Sequence, residues 1–369
     1  MPHSLLDTNL QLLDGKLQDL RDTAYFDQRV LRYIDSLRKI IAKLVDPSIK
    51  LDDAIRVSVG MQVWSATEFI AGSAPRLQPY EMVYGLQCAI GEWFAAQKHG
   101  GVKPPLIVTA LVQEPNFFFK SVSPQFDAVL QAHLGTSIEY EIVQIKLPDV
   151  YRRKPLYTVA LYHELGHFID TRFAISENVE VLQPNLALPG MSAPVGNLTL
   201  AQMQIRLLHL REYFADLFAA CYCGSAIKRF LEGFAPQGGA SPTHPATYDR
   251  IQVVQALLEG KSHALIDAFN LALTARAQPR LQLRFSRPAV DECFDAIRPV
   301  SINSDAEVHG ILDAAWGYLD RAAERHAEPW VSLDDLEIER VINDLVEKSI
   351  RNRMILEQWN RKADEARKP

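Results

Sequence analysis

Between Phe26 and Val45 the apolar residues Val30, Ile34, Leu37, Ile41 and Leu44 recur with charged residues between them. That is the spacing of a helix with one buried face. Asp46-Pro47 ends it, because the residue before a proline disfavours α backbone. A second helix is predicted over Tyr80–Gln97, then a break at His99–Pro105. Past the break the period changes. Leu106–Val112 and Glu139–Leu147 are short, apolar and β-branched, and are read as strands. A long helix over Leu156–Phe173 follows. Next comes Gln183–Leu200, whose three prolines and two glycines exclude continuous helix. Thr199 or a neighbour is placed to cap the next helix, which carries Arg211–Cys223. After a further break at Pro236–Pro245, Ser332–Asp335 fits a capping box ahead of Ile338, Val341, Leu345 and Ile350. The expected fold class is α+β and mostly α-helical, with one small sheet just before the helix of 156–173. Three consecutive regions are drawn: a helical region 1–100, a core 101–280 and a helical region 281–369.

Composition narrows the function classes. Nearly half of the 369 residues are apolar, enough for a sizeable core, and the formal charge is −6. An acidic balance leaves no electrostatic footprint for nucleic acid or an anionic membrane. No run of about 18 uncharged apolar residues occurs, so no membrane span is expected. The opening residues lack the basic flank and apolar run of a leader. The four cysteines, Cys88, Cys221, Cys223 and Cys293, are too few for a disulfide scaffold and are read as reduced thiols. A cytoplasmic protein is expected.

The chemistry is concentrated in His163-Glu164-Leu165-Gly166-His167. Residues four apart on a helix lie on one face, about 6 Å along the axis, so two imidazoles can converge on one metal ion. Glu164 borders the same site and can polarise a water there without binding the metal. The competing reading is a chance HExxH whose histidines are merely hydrogen-bonded. The apolar flanks (Val159, Ala160, Leu161, Phe168, Ile169) favour a functional cluster, since polar groups are costly to bury without a purpose.

A third ligand is sought downstream. The metzincin continuation is excluded, because Asp170 and Phe173 stand where it needs glycine and histidine. Glu212 and Asp216, one turn apart in the apolar run Tyr213–Cys223, offer a metal-binding carboxylate and an acid to accept the outer N–H of a ligating histidine. Asp170 is an alternative outer acid. Pro245 suits a first helical turn, which would set His244 at the N-terminus of a helix and Arg250 further along it. Both are candidates to meet a developing oxyanion. Read alone, the same two residues also fit a cap and an ion pair. Cys221 and Cys223, His209 and the aromatic run Asn116–Lys120 are assigned to packing.

HELGH, then ExxAD in an apolar helix, then THPxxxxRI together resemble the gluzincin clan of zinc metallopeptidases. The group that includes the HtpX-type heat-shock protease and the CAAX prenyl protease is the nearest likeness. The resemblance covers about Leu106 to Ile251. It implies a minimal gluzincin core: a small sheet, the HExxH helix and the glutamate helix, with extra helices around them. It implies one Zn2+ per chain held by His163, His167 and Glu212, with Asp216 behind the ligands. Glu164 would be the catalytic base, and His244 and Arg250 would lie near the scissile carbonyl. The membrane helices of the integral-membrane members are missing, so prenylated or membrane-bound substrates are not implied. The expected activity is hydrolysis of a protein or peptide substrate, with an endopeptidase favoured because no G-x-M-E-N run is present. The alternative is a non-catalytic zinc-binding regulatory or scaffold protein. A closed structural site has no need of Glu164. The amphipathic terminal helices are expected to pack on the body of the same chain, the alternative being that one stripe docks a protein partner or a second copy.

Overall fold

The structure, a computed structural model, describes residues 5–23, 29–72, 81–97, 103–121, 124–191, 198–234, 238–325 and 328–367. In chain order the first elements are α1 (Leu5–Arg21), α2 (Arg29–Val45), α3 (Asp53–Gly72), α4 (Glu81–Ala95), β1 (Leu106–Val112), β2 (Phe118–Ser121), α5 (Pro124–Leu134) and β3 (Ile142–Pro148). Then follow α6 (Val159–Phe173), α7 (Ile175–Leu182), α8 (Leu200–Cys223), α9 (Ala226–Phe234), α10 (Thr247–Leu258) and α11 (Ala264–Ala275). The last are α12 (Asp291–Asp295), α13 (Asp305–Arg325) and α14 (Asp335–Ala366). The protein is thus α+β and mostly helical, with one three-stranded sheet. No helix among the described residues is long and apolar enough to cross a membrane. Phe26, Tyr80, residues 99–102 of the first predicted break, 192–197 of the proline-rich segment and 236–237 of the later break lie outside the described residues.

Two compact units form, one from Met1–Val83 with Lys103–Arg152, the other from Tyr84–Val102 with Arg153–Pro369. They cut across the three consecutive regions drawn from the sequence, because the strands group with the N-terminal helices and the HELGH helix does not.

In the first unit the predicted stripe of α2 is buried along its length. Leu10, Leu13 and Leu17 of α1 and Val59, Val63 and Ile70 of α3 share its core. The sheet order is β1-β3-β2. β1 runs parallel to β3, with Leu106 opposite Ile142, and β2 runs antiparallel, with Phe118 opposite Lys146. One expectation is corrected here, and one run gains an element. The second strand begins at Ile142, not Glu139, because Glu139 is drawn off to Lys103 at 3.2 Å and Lys103 also lies over the Tyr140 ring. The aromatic run at 116–120 supplies a strand, since Phe118 and Lys120 point to one face and alternate with Phe119.

In the second unit α8 is central. From Tyr213 to Cys223 every residue is buried, as a helix apolar all round requires. Trp93 of α4 packs on Phe218 at 5.3 Å, Phe269 of α11 on Phe214 at 5.4 Å, and His309 of α13 on Tyr222 at 4.9 Å. Cys221 and Cys223 are free and buried in this packing. A capping box at Thr199 and Gln202 starts α8 as expected. At α14 the box is one the sequence reading passed over: Asp334 and Glu337 exchange backbone-to-carboxylate bonds of 2.8 and 3.1 Å, and Ser332–Asp335 does not serve.

Candidate metal centre

The centre is built where α6 lies against α8. A 3-10 turn at Pro155–Thr158 leads into α6, fixed by the Leu156 N–H donating to Asn343 Oδ1 of α14 at 3.1 Å. α6 ends at Ala174, whose left-handed backbone (φ 51°) turns the chain into α7. Asp170 serves that corner. Its Oδ1 accepts from the Ser176 N–H at 2.8 Å and the Ser176 hydroxyl at 2.7 Å, so it is not the outer acid of the histidines.

Two pairs at i, i+4 face each other: His163 and His167 on α6, Glu212 and Asp216 on α8. The helices can approach because the residue between the histidines is Gly166. A Cβ there would meet Ala215 Cα at 2.8 Å, the Ala215 carbonyl oxygen at 3.1 Å and Phe218 Cβ at 3.1 Å.

His163 Nδ1 bonds to Asp216 Oδ1 at 2.9 Å, which leaves Nε2 facing Glu212 Oε2 at 3.5 Å. His167 Nε2 lies 3.3 Å from Glu212 Oε1, and the two imidazoles stand edge to face, 4.5 Å between centroids. Ligand-capable atoms of His163, Glu164 and His167 all lie within 4.8 Å of one another. Glu164 is buried at the same edge. Glu212 falls outside that tight trio, yet its oxygens are the atoms the two Nε2 groups face, so it is the nearest further ligand.

Glu212 and Asp216 are both buried, with Arg250 on the first turn of α10 between them. Arg250 donates to Asp216 at 2.6 and 2.8 Å, and its Nη2 lies 3.2 Å from Glu212 Oε2. Burial opposes ionisation of Asp216, but the Arg250 guanidinium and His163 overcome it and lower its pKa. Burial likewise opposes charge on His163, yet its bonds to Asp216 and Glu212 raise it to about 10. Glu212 is lowered well below the usual carboxylate range by the two histidines, against the effect of its burial. Glu212 Oε2 lies in ion-pair reach of His163 and Arg250 but makes no well-aligned hydrogen bond among the described residues.

That carboxylate, with two imidazole nitrogens turned towards it, fits a divalent cation. Nitrogen and carboxylate donors suit several divalent metals, and the Nδ1 bond to Asp216 leaves Nε2 as the His163 atom turned to the site.

His244 is placed differently from expectation. The helix starts at Thr247 after Ala246, so Pro245 precedes it and His244 lies in the loop before. Its Nδ1 bonds to the Thr243 hydroxyl at 2.8 Å, and Nε2 points to Glu212 Oε1 at 3.7 Å. The ring is half-exposed at the rim. Arg250 takes the ion-pair reading, behind the carboxylates. His209, assigned to packing, also shapes the rim. It is buried on α8 and its Nε2 bonds to the Ser241 carbonyl at 2.8 Å. Ser241 Oγ in turn accepts from the His244 N–H at 3.0 Å. The signal for it in the sequence is its place one turn before Tyr213, on the glutamate helix.

Comparison with known protein families, with characterised proteins and with solved structures finds no match.

Proposed function

We propose that the protein is a zinc-dependent metallopeptidase acting on a protein or peptide substrate in the cytosol, as the gluzincin resemblance implies. The observation that carries the reading is the convergence of His163 and His167 Nε2 on the Glu212 carboxylate at 3.5 and 3.3 Å, with Glu164 in the same cluster. His163, His167 and Glu212 would hold the ion, one per chain. Zinc bound there supplies a Lewis acid that polarises a carbonyl and acidifies water.

The rest of the chemistry falls to side chains. Glu164 accepts a proton from the attacking water and returns it to the leaving amine. Asp216 holds the Nδ1 proton of His163, so that Nε2 presents its lone pair. Arg250 keeps both carboxylates of α8 ionised and aimed. His244, at the rim with Nε2 turned inwards, is placed to donate to a developing oxyanion. The four free thiols suit a reducing compartment.

The test is hydrolysis of casein by the full chain, with zinc measured by elemental analysis. Glu164→Gln should keep zinc and fold while turnover falls by about 10²–10⁴, the usual contribution of a positioned base. Equal turnover by the variant, or activity indifferent to a chelator, would overturn the reading. A protein that holds zinc and cleaves nothing would favour the scaffold alternative.

A further inference from the structure

The first unit holds a second site that the peptidase reading does not use. Between α3 and the sheet lies a cleft of about 650 Å³. That is within the range of roughly 300–1,000 Å³ common for small-molecule sites. Its floor is the sheet face that carries Gln144 of β3, with Lys120 opposite it on β2 and Lys146 two residues further along β3. Its other wall carries Trp64 and Glu68 of α3, and Lys16 of α1 closes one end.

Three observations point to a ligand. Gln144 is 1 % exposed, and its Oε1 accepts no hydrogen bond among the described residues. A buried acceptor without a donor is costly, and native interiors seldom leave one unless something else supplies the donor. Lys120 and Lys146 are diagonal neighbours on one sheet face. Neither they nor Lys16 is in an ion pair among the described residues; Lys146 Nζ lies over the Phe118 ring at 4.6 Å, and three ammonium groups share the cleft with one carboxylate, Glu68. Finally, the Trp64 indole is 48 % exposed on the cleft wall, a flat apolar face open to solvent.

We propose that this cleft binds a mononucleotide-like ligand: an aromatic ring with N–H donors, joined to a phosphate. The ring stacks on Trp64 and donates to Gln144 Oε1. The phosphate, with three oxygens and more than one negative charge, sits by Lys120 and Lys146 and can accept from both. Glu68 is the acceptor available to a sugar hydroxyl. Nothing in this argument depends on the metal centre.

The test is calorimetric titration of the full-length protein with AMP and with ribose 5-phosphate, which lacks the ring. AMP should bind at one per chain, and ribose 5-phosphate at least tenfold more weakly. Lys120→Gln and Lys146→Gln change side chains that are not fully buried and should each weaken AMP about tenfold with the melting temperature unchanged. Trp64→Ala should bring AMP down to the level of ribose 5-phosphate. No binding of AMP at millimolar concentration would overturn the proposal. So would equal affinity for the two probes, or lysine variants that bind AMP like the parent.

Discussion

Gly166 of α6 and Ala215 of α8 meet backbone to backbone, and this single approach sets the distance across which the histidines see Glu212 and Asp216. The G of HELGH and the A of ExxAD are therefore one feature seen from two helices. A larger residue at either place would wedge the helices apart and separate His163 from Asp216, which are 2.9 Å apart.

Gly166→Ala should lower stability by about 1–3 kcal/mol, the usual cost of overpacking, because the added methyl lands on backbone that cannot rotate away. Weaker zinc binding should accompany the loss. The control is Gly15→Ala in α1, where an added Cβ meets nothing within 4 Å. It should gain roughly 0.5–1 kcal/mol from helix propensity alone. Urea denaturation of both variants decides the matter. Stabilisation by both would mean that α6 and α8 do not approach this closely.

Arg250 and Asp216 form a buried fork of two hydrogen bonds. Removing the cation in Arg250→Met should cost about 3–5 kcal/mol, since two carboxylates are left buried with one counter-charge fewer. Asp216→Asn should hold the fold better but weaken zinc by about 10–100-fold, the usual effect of altering an outer partner of a ligating histidine. Zinc competition with a chromophoric chelator reads the second effect. Were Arg250 instead to serve an oxyanion, Arg250→Lys would lower kcat with zinc affinity and melting temperature intact.

Several parts of this arrangement were legible in the sequence, and the reasons differ. HELGH, Glu212 and Asp216 announce themselves because i, i+4 spacing is fixed by helix geometry, and the apolar run at 213–223 can only be a buried helix. Thr199 reads as a cap because Gln202 completes its box. The chain conceals other elements. β2 is only Phe118–Ser121, too short for its alternation to stand out from an aromatic cluster. α3 mixes Gly60 and Ser65 with buried and exposed apolar residues, so no single stripe marks it. The start of α14 was misplaced because two overlapping segments, Ser332–Asp335 and Asp334–Glu337, satisfy the same pattern, and only the second makes the bonds. The grouping of strands with N-terminal helices is a long-range matter that local pattern does not encode.

Asp170 makes stability depend on pH. Burial raises its pKa from 3.8 to about 6, although its bonds to Ser176 and the charge of Arg211 pull the other way. The folded protein thus holds this proton more tightly than the unfolded chain. The group's contribution is greatest below about pH 4, falls as pH rises towards 6 and is level above. Asp170→Asn removes that titration. The difference in unfolding free energy, parent minus variant, should fall by roughly 2.5 kcal/mol between pH 4 and pH 7.5, taking 1.36 kcal/mol per pKa unit. A pH-independent difference would place Asp170 in an ordinary solvated setting.

The apolar stripe of α14 is an internal surface of the second unit over most of its length, which bears on the expectation of a docking role for the terminal helices. Ile338, Ile342, Leu345, Val346 and Ile350 are buried. Asn343 accepts from the Leu156 N–H that leads into α6, and Ser349 Oγ accepts from the Val300 N–H at 3.0 Å. Glu339 and Glu347 pair with Lys154 and Arg153 at 2.9 and 3.4 Å, so this helix grips both sides of the turn that starts the HELGH helix. Deleting the chain after Ser332 should therefore abolish a cooperative melt of the second unit and its zinc binding together. Further along, the helix changes character: Ile355, Leu356 and Trp359 are 44, 50 and 71 % exposed. Trp359→Ser removes an exposed side chain and should leave the melting temperature within a degree or two, as for most surface substitutions. The pair of measurements separates the two roles. A deleted protein that still melts cooperatively and binds zinc would mean that α14 is an appendage available to a partner, and its packing on Leu156 would then be dispensable.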